Sequence, residues 1–157
     1  MGVGGTLKYA SLHRLLSRTQ PNIIFFQETL VDEKQERYFM NTFRPTWLTC
    51  VVSSVGKFGG ILVAWDPYKF DLAPILSCGG IFVTGTCLED KRKISLLKVY
   101  GPCSKKKTFW DKVVSRGMLA YKNLIVAEDL NFIVSAGEVW GDSTNLDPFS
   151  GFFKGIL

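Results

Sequence analysis

Leu124-Ile125-Val126-Ala127-Glu128-Asp129-Leu130-Asn131 opens as an apolar run and closes on a carboxylate and a carboxamide two positions apart. Side chains i and i+2 share a face of a strand. A buried strand that stops here therefore lifts Asp129 and Asn131 to one rim. Asn22-Ile23-Ile24-Phe25-Phe26-Gln27-Glu28 has the same form, apolar and then acidic. Two such strands can bring their terminal acids together at one edge of a sheet, where such a cluster can hold Mg²⁺ and act on a phosphate. Taken singly, Glu28 also reads as a solvated loop acid, and Asp129 with Asn131 as ordinary turn residues.

Around these two strands the hydrophobic period changes along the chain. Leu7 to Arg18 is predicted to be helical, with Leu12, Leu15 and Leu16 as its apolar stripe and Leu7 one turn earlier. Pro21 stops it. Asp32 to Phe43 reads as a charged helix with Tyr38, Phe39 and Phe43 turned inward. The middle is rich in strands: Trp47 to Ser53, Gly59 to Trp65, Phe70 to Leu76, Ile81 to Leu88 and Lys93 to Tyr100, with Glu89-Asp90-Lys91-Arg92 as a hairpin turn. Strands in succession at short spacing imply antiparallel or mixed sheet. Ser104 is placed to cap a helix through Ser115, with Phe109, Trp110, Val113 and Val114 inward. Asp147-Pro148 opens a last helix whose apolar residues, Phe149, Phe152, Phe153 and Ile156, fall on one face. No repeat or linker divides the chain, so residues 1–157 read as one domain.

Of the 157 residues, 46% are hydrophobic and 13% aromatic, enough for a sizeable core and contrary to disorder. The net charge of +5 is compatible with a nucleic-acid partner without requiring one. Lys91-Arg92-Lys93 and Lys105-Lys106-Lys107 read as solvated faces, with a phosphate-steering patch as the sharper alternative. No apolar run is long enough to span a membrane, and the N-terminus does not have the form of a signal peptide. Cys50, Cys78, Cys87 and Cys103 lack zinc spacing and suit a reducing compartment, nucleus or cytoplasm. His13, beside the leucine stripe, reads as a surface helix residue.

Taken in order, Gln27-Glu28-Thr29, Ser53-Ser54-Val55-Gly56, Gly59-Gly60-Ile61-Leu62-Val63-Ala64-Trp65, Val99-Tyr100-Gly101-Pro102, Phe109-Trp110, Asp129-Leu130-Asn131 and Glu138-Val139-Trp140-Gly141 resemble the endonuclease/exonuclease/phosphatase superfamily. They look most like the endonuclease domain of plant non-LTR retrotransposons of the long interspersed type. The resemblance implies a four-layer α/β sandwich, two packed mixed sheets with helices outside. It also implies Mg²⁺-dependent hydrolysis of a phosphodiester, the nicking of DNA. By family role Glu28 holds the metal, Asp129 activates the attacking water with Asn131 beside it on the phosphate, and Tyr100 contacts the scissile phosphate.

The chain departs from that pattern in three places. The family's opening strand carries an Asn just before a turn resembling Gly2-Val3-Gly4-Gly5, and here Met1 stands where that strand has already passed. The family's Gly before the Asp is Glu128, which puts a side chain where close backbone approach is needed and a second carboxylate near a phosphate. The family's later Asp pair and its Ser-Asp-His strand have no counterpart. These departures imply a partial domain that is missing its C-terminal strands and is catalytically impaired. The alternative is a non-catalytic α/β remnant that binds nucleic acid weakly.

Overall fold

A computed structural model describes residues 6–29, 33–53, 59–77, 80–101, 105–129, 137 and 150–155. Helix α1 (Thr6–Thr19) leads into β1 (Ile23–Gln27), α2 (Glu33–Phe43), β2 (Leu48–Val52) and β3 (Ile61–Trp65). Strands β4 (Phe70–Ser77), β5 (Gly80–Cys87) and β6 (Lys93–Tyr100) follow. Helix α3 (Lys106–Ser115), a 3₁₀ turn at Met118–Ala120, β7 (Leu124–Asp129) and α4 (Ser150–Lys154) complete the order.

The strands form two sheets. One has the order β1-β3-β2 and is antiparallel throughout its described strands. The other has the order β4-β5-β6-β7 and is mixed, because β7 joins β6 in parallel through the α3 crossover. Alternation along the strands sorts the apolar residues into three cores. Ile61, Val63 and Trp65 of β3 meet Leu72, Ile81, Val83 and Leu96 of the second sheet, which fills the space between the sheets. Ile24, Leu62 and Ala64 face the other way, against Leu16 of α1 and Phe39, Met40 and Phe43 of α2. Phe82, Leu97 and Val99 face Trp110, Val113 and Met118 on the far side. The expected sandwich of two packed sheets with outer helices is therefore observed, but only the second sheet is mixed; the described strands of the first are all antiparallel.

Each layer has local causes. Gln20, in the left-handed region with φ 45°, and then Pro21 end α1. The backbone N–H of Gln20 and the Arg44 guanidinium both donate to the Leu16 carbonyl, tying α1 to the end of α2. Tyr9 stacks on Phe43 with ring centroids 5.2 Å apart, and Phe39 meets Tyr9 edge-on. The Glu89–Arg92 hairpin forms as expected. There the Arg92 backbone N–H and its guanidinium both bond Asp90, holding that carboxyl below the usual carboxylate range. At Gly85 a Cβ would sit 2.0 Å from the Asp71 carbonyl oxygen, so β4 and β5 approach too closely for any side chain.

Several side chains lie elsewhere than the periodicity suggests. Tyr38 is 77% exposed; the inward arc of α2 is Phe39, Met40 and Phe43, and Tyr38 falls about 100° behind it. Leu15 and Val114 are exposed at the flanks of stripes carried by Leu12 and Leu16 and by Trp110 and Val113. Helix α3 begins at Lys106 after a left-handed Lys105, with no side-chain cap; the expected cap, Ser104, lies outside the described residues. The last helix starts at Ser150, and Asp147, Pro148, Phe149 and Ile156 lie outside the described residues. Strand β7 is only half covered, since Ile125 is 58% exposed.

Gly85→Ala is expected to destabilise the protein by about 2 kcal/mol or more, because the new Cβ meets backbone that must shift. Trp110→Ala is expected to cost about 3–5 kcal/mol, and Tyr38→Ala to stay within about 0.5 kcal/mol. Urea unfolding of the three variants measures all of these.

Candidate active site at the sheet rim

Residues alternate along β1. Ile23 and Phe25 pack between the sheets, and Ile24 and Phe26 pack under the helices. Gln27 continues the inter-sheet series. Alternation would then send Glu28 to the helix side, but Glu28 has φ 52°. A left-handed residue breaks the two-residue period, at a cost of roughly 1–2 kcal/mol for a residue with a Cβ. The next residue anchors the turn: Thr29 is buried, and its backbone N–H donates to the Gly60 carbonyl at 3.4 Å. Gly60 is itself left-handed with φ 88°, a conformation that glycine adopts at little cost.

The outcome is that Gln27, the last residue of β1, and Glu28 just after it reach the same face of β6. Lys98 and Tyr100 are i and i+2 on that strand. The Lys98 ammonium donates to Gln27 Oε1. The Tyr100 hydroxyl donates to Glu28 Oε1 at 3.0 Å, a bond strengthened by the carboxylate charge. These two rungs link the rims of the facing sheets across sequence separations of 71 and 72 residues.

Asp129 enters through its backbone. β7 runs parallel to β6, with Tyr100 opposite Asp129, Val99 opposite Glu128 and Lys98 opposite Ala127. Asp129 thus neighbours the residue that holds Glu28. Glu128 neighbours Val99, whose side chain belongs to the α3 core. Asn131 lies outside the described residues, as do 54–58 and 138–141. The acid-ended strands do not share one sheet edge, as their form alone suggested. β1 and β7 belong to different sheets, and Tyr100 bridges them.

Lys98 and Gln27 were not candidates from composition or spacing. Lys98 is 4% exposed and is the buried charged side chain among the described residues. The signal was present, since a lysine interrupts the apolar run Leu96-Leu97-Lys98-Val99. The basic runs behave as solvated faces with local partners. Arg92 bonds Asp90, Lys93 bonds Thr86 Oγ1 at 2.9 Å, and Lys107 pairs with Asp111 at 2.9 Å. His13 is exposed, its ring 6.4 Å from that of Phe43 in the outer helical layer. Cys50 and Cys87 are thiols, not joined in disulfides.

Among the described residues no group of three or more His, Cys, Asp or Glu converges as a metal cage. The donors at the rim are oxygens, a carboxylate and a phenol, beside the strand that ends in Asp129. This set suits a hard cation that takes one or two carboxylates and fills its shell with water and phosphate. It does not suit a structural zinc site. Among the described residues no helix is long and apolar enough to cross a membrane.

No protein-family model and no curated protein matches the sequence. Solved structures do match. The endonuclease domain of TRAS1, a telomere-specific non-LTR retrotransposon, aligns with TM-score 0.66 at 16% identity over 97% of this chain and 64% of its own. An endonuclease/exonuclease/phosphatase family protein from Bacteroides thetaiotaomicron aligns with TM-score 0.56 at 15% identity, covering 79% of this chain and 53% of its own. TDP2 from D. rerio, complexed with a single-strand DNA product, aligns with TM-score 0.56 at 19% identity, covering 79% and 53%. The chain spans 53–64% of the length of these three structures. Its two facing sheets with helices outside have the fold of endonuclease/exonuclease/phosphatase proteins.

Proposed function

We propose that this chain derives from a Mg²⁺-dependent phosphodiesterase, the DNA endonuclease domain of a plant-type non-LTR retrotransposon, with catalysis weakened by its own substitutions. The observation that supports this best is the Tyr100–Glu28 hydrogen bond beside a strand that ends at Asp129. A carboxylate held by a phenol, beside a strand that ends in a second acid, supplies the kind of oxygen donors this chemistry needs.

In this reading Glu28 is the metal ligand, and Tyr100 fixes its carboxylate before substrate arrives. A Mg²⁺ ion held by Glu28 would supply Lewis acidity and charge neutralisation at a phosphate. Asp129 takes the proton of the attacking water, and Asn131 donates to the phosphate oxygens as negative charge develops on them. When the phosphate is present, the Tyr100 hydroxyl can shift from Glu28 to a phosphate oxygen. DNA as the substrate is supported by the fold shared with a retrotransposon endonuclease and with a protein solved with a DNA product. Glu128, where the resembling family has Gly, adds a side chain to the residue before the reacting acid.

Nicking of supercoiled plasmid by the purified chain tests the assignment. Slow nicking with Mg²⁺ is expected, lost with EDTA and lowered about 10²-fold or more by Glu28→Gln or Asp129→Asn. Nicking that survives EDTA and both substitutions refutes the site. Tyr100→Phe, which keeps the ring and removes the donor, is expected to lower the rate roughly tenfold, or ~1.4 kcal/mol in barrier. In the same assay Glu128→Gly is expected to raise the rate by about the same factor.

A further inference from the structure

A lysine buried between two sheets is costly unless its charge is answered. Lys98 lies in the inter-sheet seam one rung below the Tyr100–Glu28 bond, and its ammonium is fixed by Gln27 Oε1. Glu28 follows Gln27, and Asp129 stands two residues beyond Lys98's register partner Ala127, opposite Tyr100. These are the acids assigned above to metal and water. Two carboxylates brought to one rim would repel each other, and a fixed cation below them would offset that repulsion.

We propose that Lys98 is the resident counter-charge of this rim, a positioning residue that keeps the acids at Glu28 and Asp129 together when no divalent cation is bound. The role assigned to the acids rests on the proposed metal site. The charge compensation itself needs only their proximity. Because Lys98 and a divalent cation neutralise the same carboxylates, they partly substitute for each other. Removing Lys98 should make the protein depend more on the metal and bind it more tightly.

Thermal unfolding of the full chain in EDTA and in Mg²⁺ tests this for Lys98→Met, which keeps length and apolar volume, and for Lys98→Met combined with Glu28→Gln or with Asp129→Asn. In EDTA, Lys98→Met is expected to lower the Tm by roughly 5 °C or more. At least one carboxylate substitution should then restore about half of that loss or more, a coupling that independent sites do not show. Mg²⁺ should raise the Tm of Lys98→Met more than that of the unsubstituted chain. An unchanged Tm, or strictly additive effects in both double variants, overturns the assignment. So does an Mg²⁺ response that is present but no larger in Lys98→Met. If Lys98→Met does not fold, recovery of folding in either double variant supports the assignment, and failure of both overturns it. Restoration by a carboxylate substitution with no Mg²⁺ response in any variant refutes the metal site and leaves the counter-charge standing.

Discussion

Stacking two sheets under two helical layers demands that the central strands be apolar on both faces. β3 meets that demand most fully, since all five of its residues, Ile61 to Trp65, are buried. Its odd positions fill the space between the sheets and its even positions receive α1 and α2. β1 and β2 pair on either side of it in register. Five consecutive apolar side chains have no solvated face to offer, so the strand is held only where both neighbouring layers are in place. β5 and β6 play the same part in the second sheet, with Phe82, Leu97 and Val99 turned toward α3 and Ile81, Val83 and Leu96 toward β3.

That double burial also creates the rim. A strand buried on both faces can carry polar side chains only near its ends, unless they find partners across the seam. Gln27 and Glu28 stand at the end of β1, and Tyr100 at the end of β6. Lys98, a step inside, is the exception, and it has its partner in Gln27. The left-handed turn at Glu28 converts what would be one polar contact into two by bringing successive residues to the same side. The local backbone cost is met by the anchoring of Thr29 on Gly60 and by the bonds made at the rim.

Most of the architecture was legible in the letters because period and punctuation agreed. The strands from Leu48 to Tyr100, the hairpin at Glu89–Arg92 and the helices ending near Thr19, Phe43 and Ser115 follow from apolar spacing and from Pro and Gly. Errors fell at the margins of stripes, at Leu15, Tyr38 and Val114, where a turn of 3.6 residues puts a neighbour on the flank rather than the face. At the proposed site, Glu28 and Asp129 were marked by their positions at strand ends, and Tyr100 by the family resemblance. Which sheets would carry them was not, because pairing is a long-range matter: β1 joins β3 rather than the strand that ends in Asp129. Lys98 was hidden for a related reason, since a lysine within a strand reads as solvent-facing until the opposite sheet covers it.

The two rungs between β1 and β6 also bear on the order of assembly. Each β4-β5-β6 hairpin closes over a handful of residues, whereas the rungs join segments more than 70 residues apart. Long closures are entropically expensive and form after local ones. The polar rim is therefore among the last parts of the molecule to exist. A nascent chain that has built either sheet alone has made neither rung, so any chemistry the rim supports is withheld until the whole sandwich has closed.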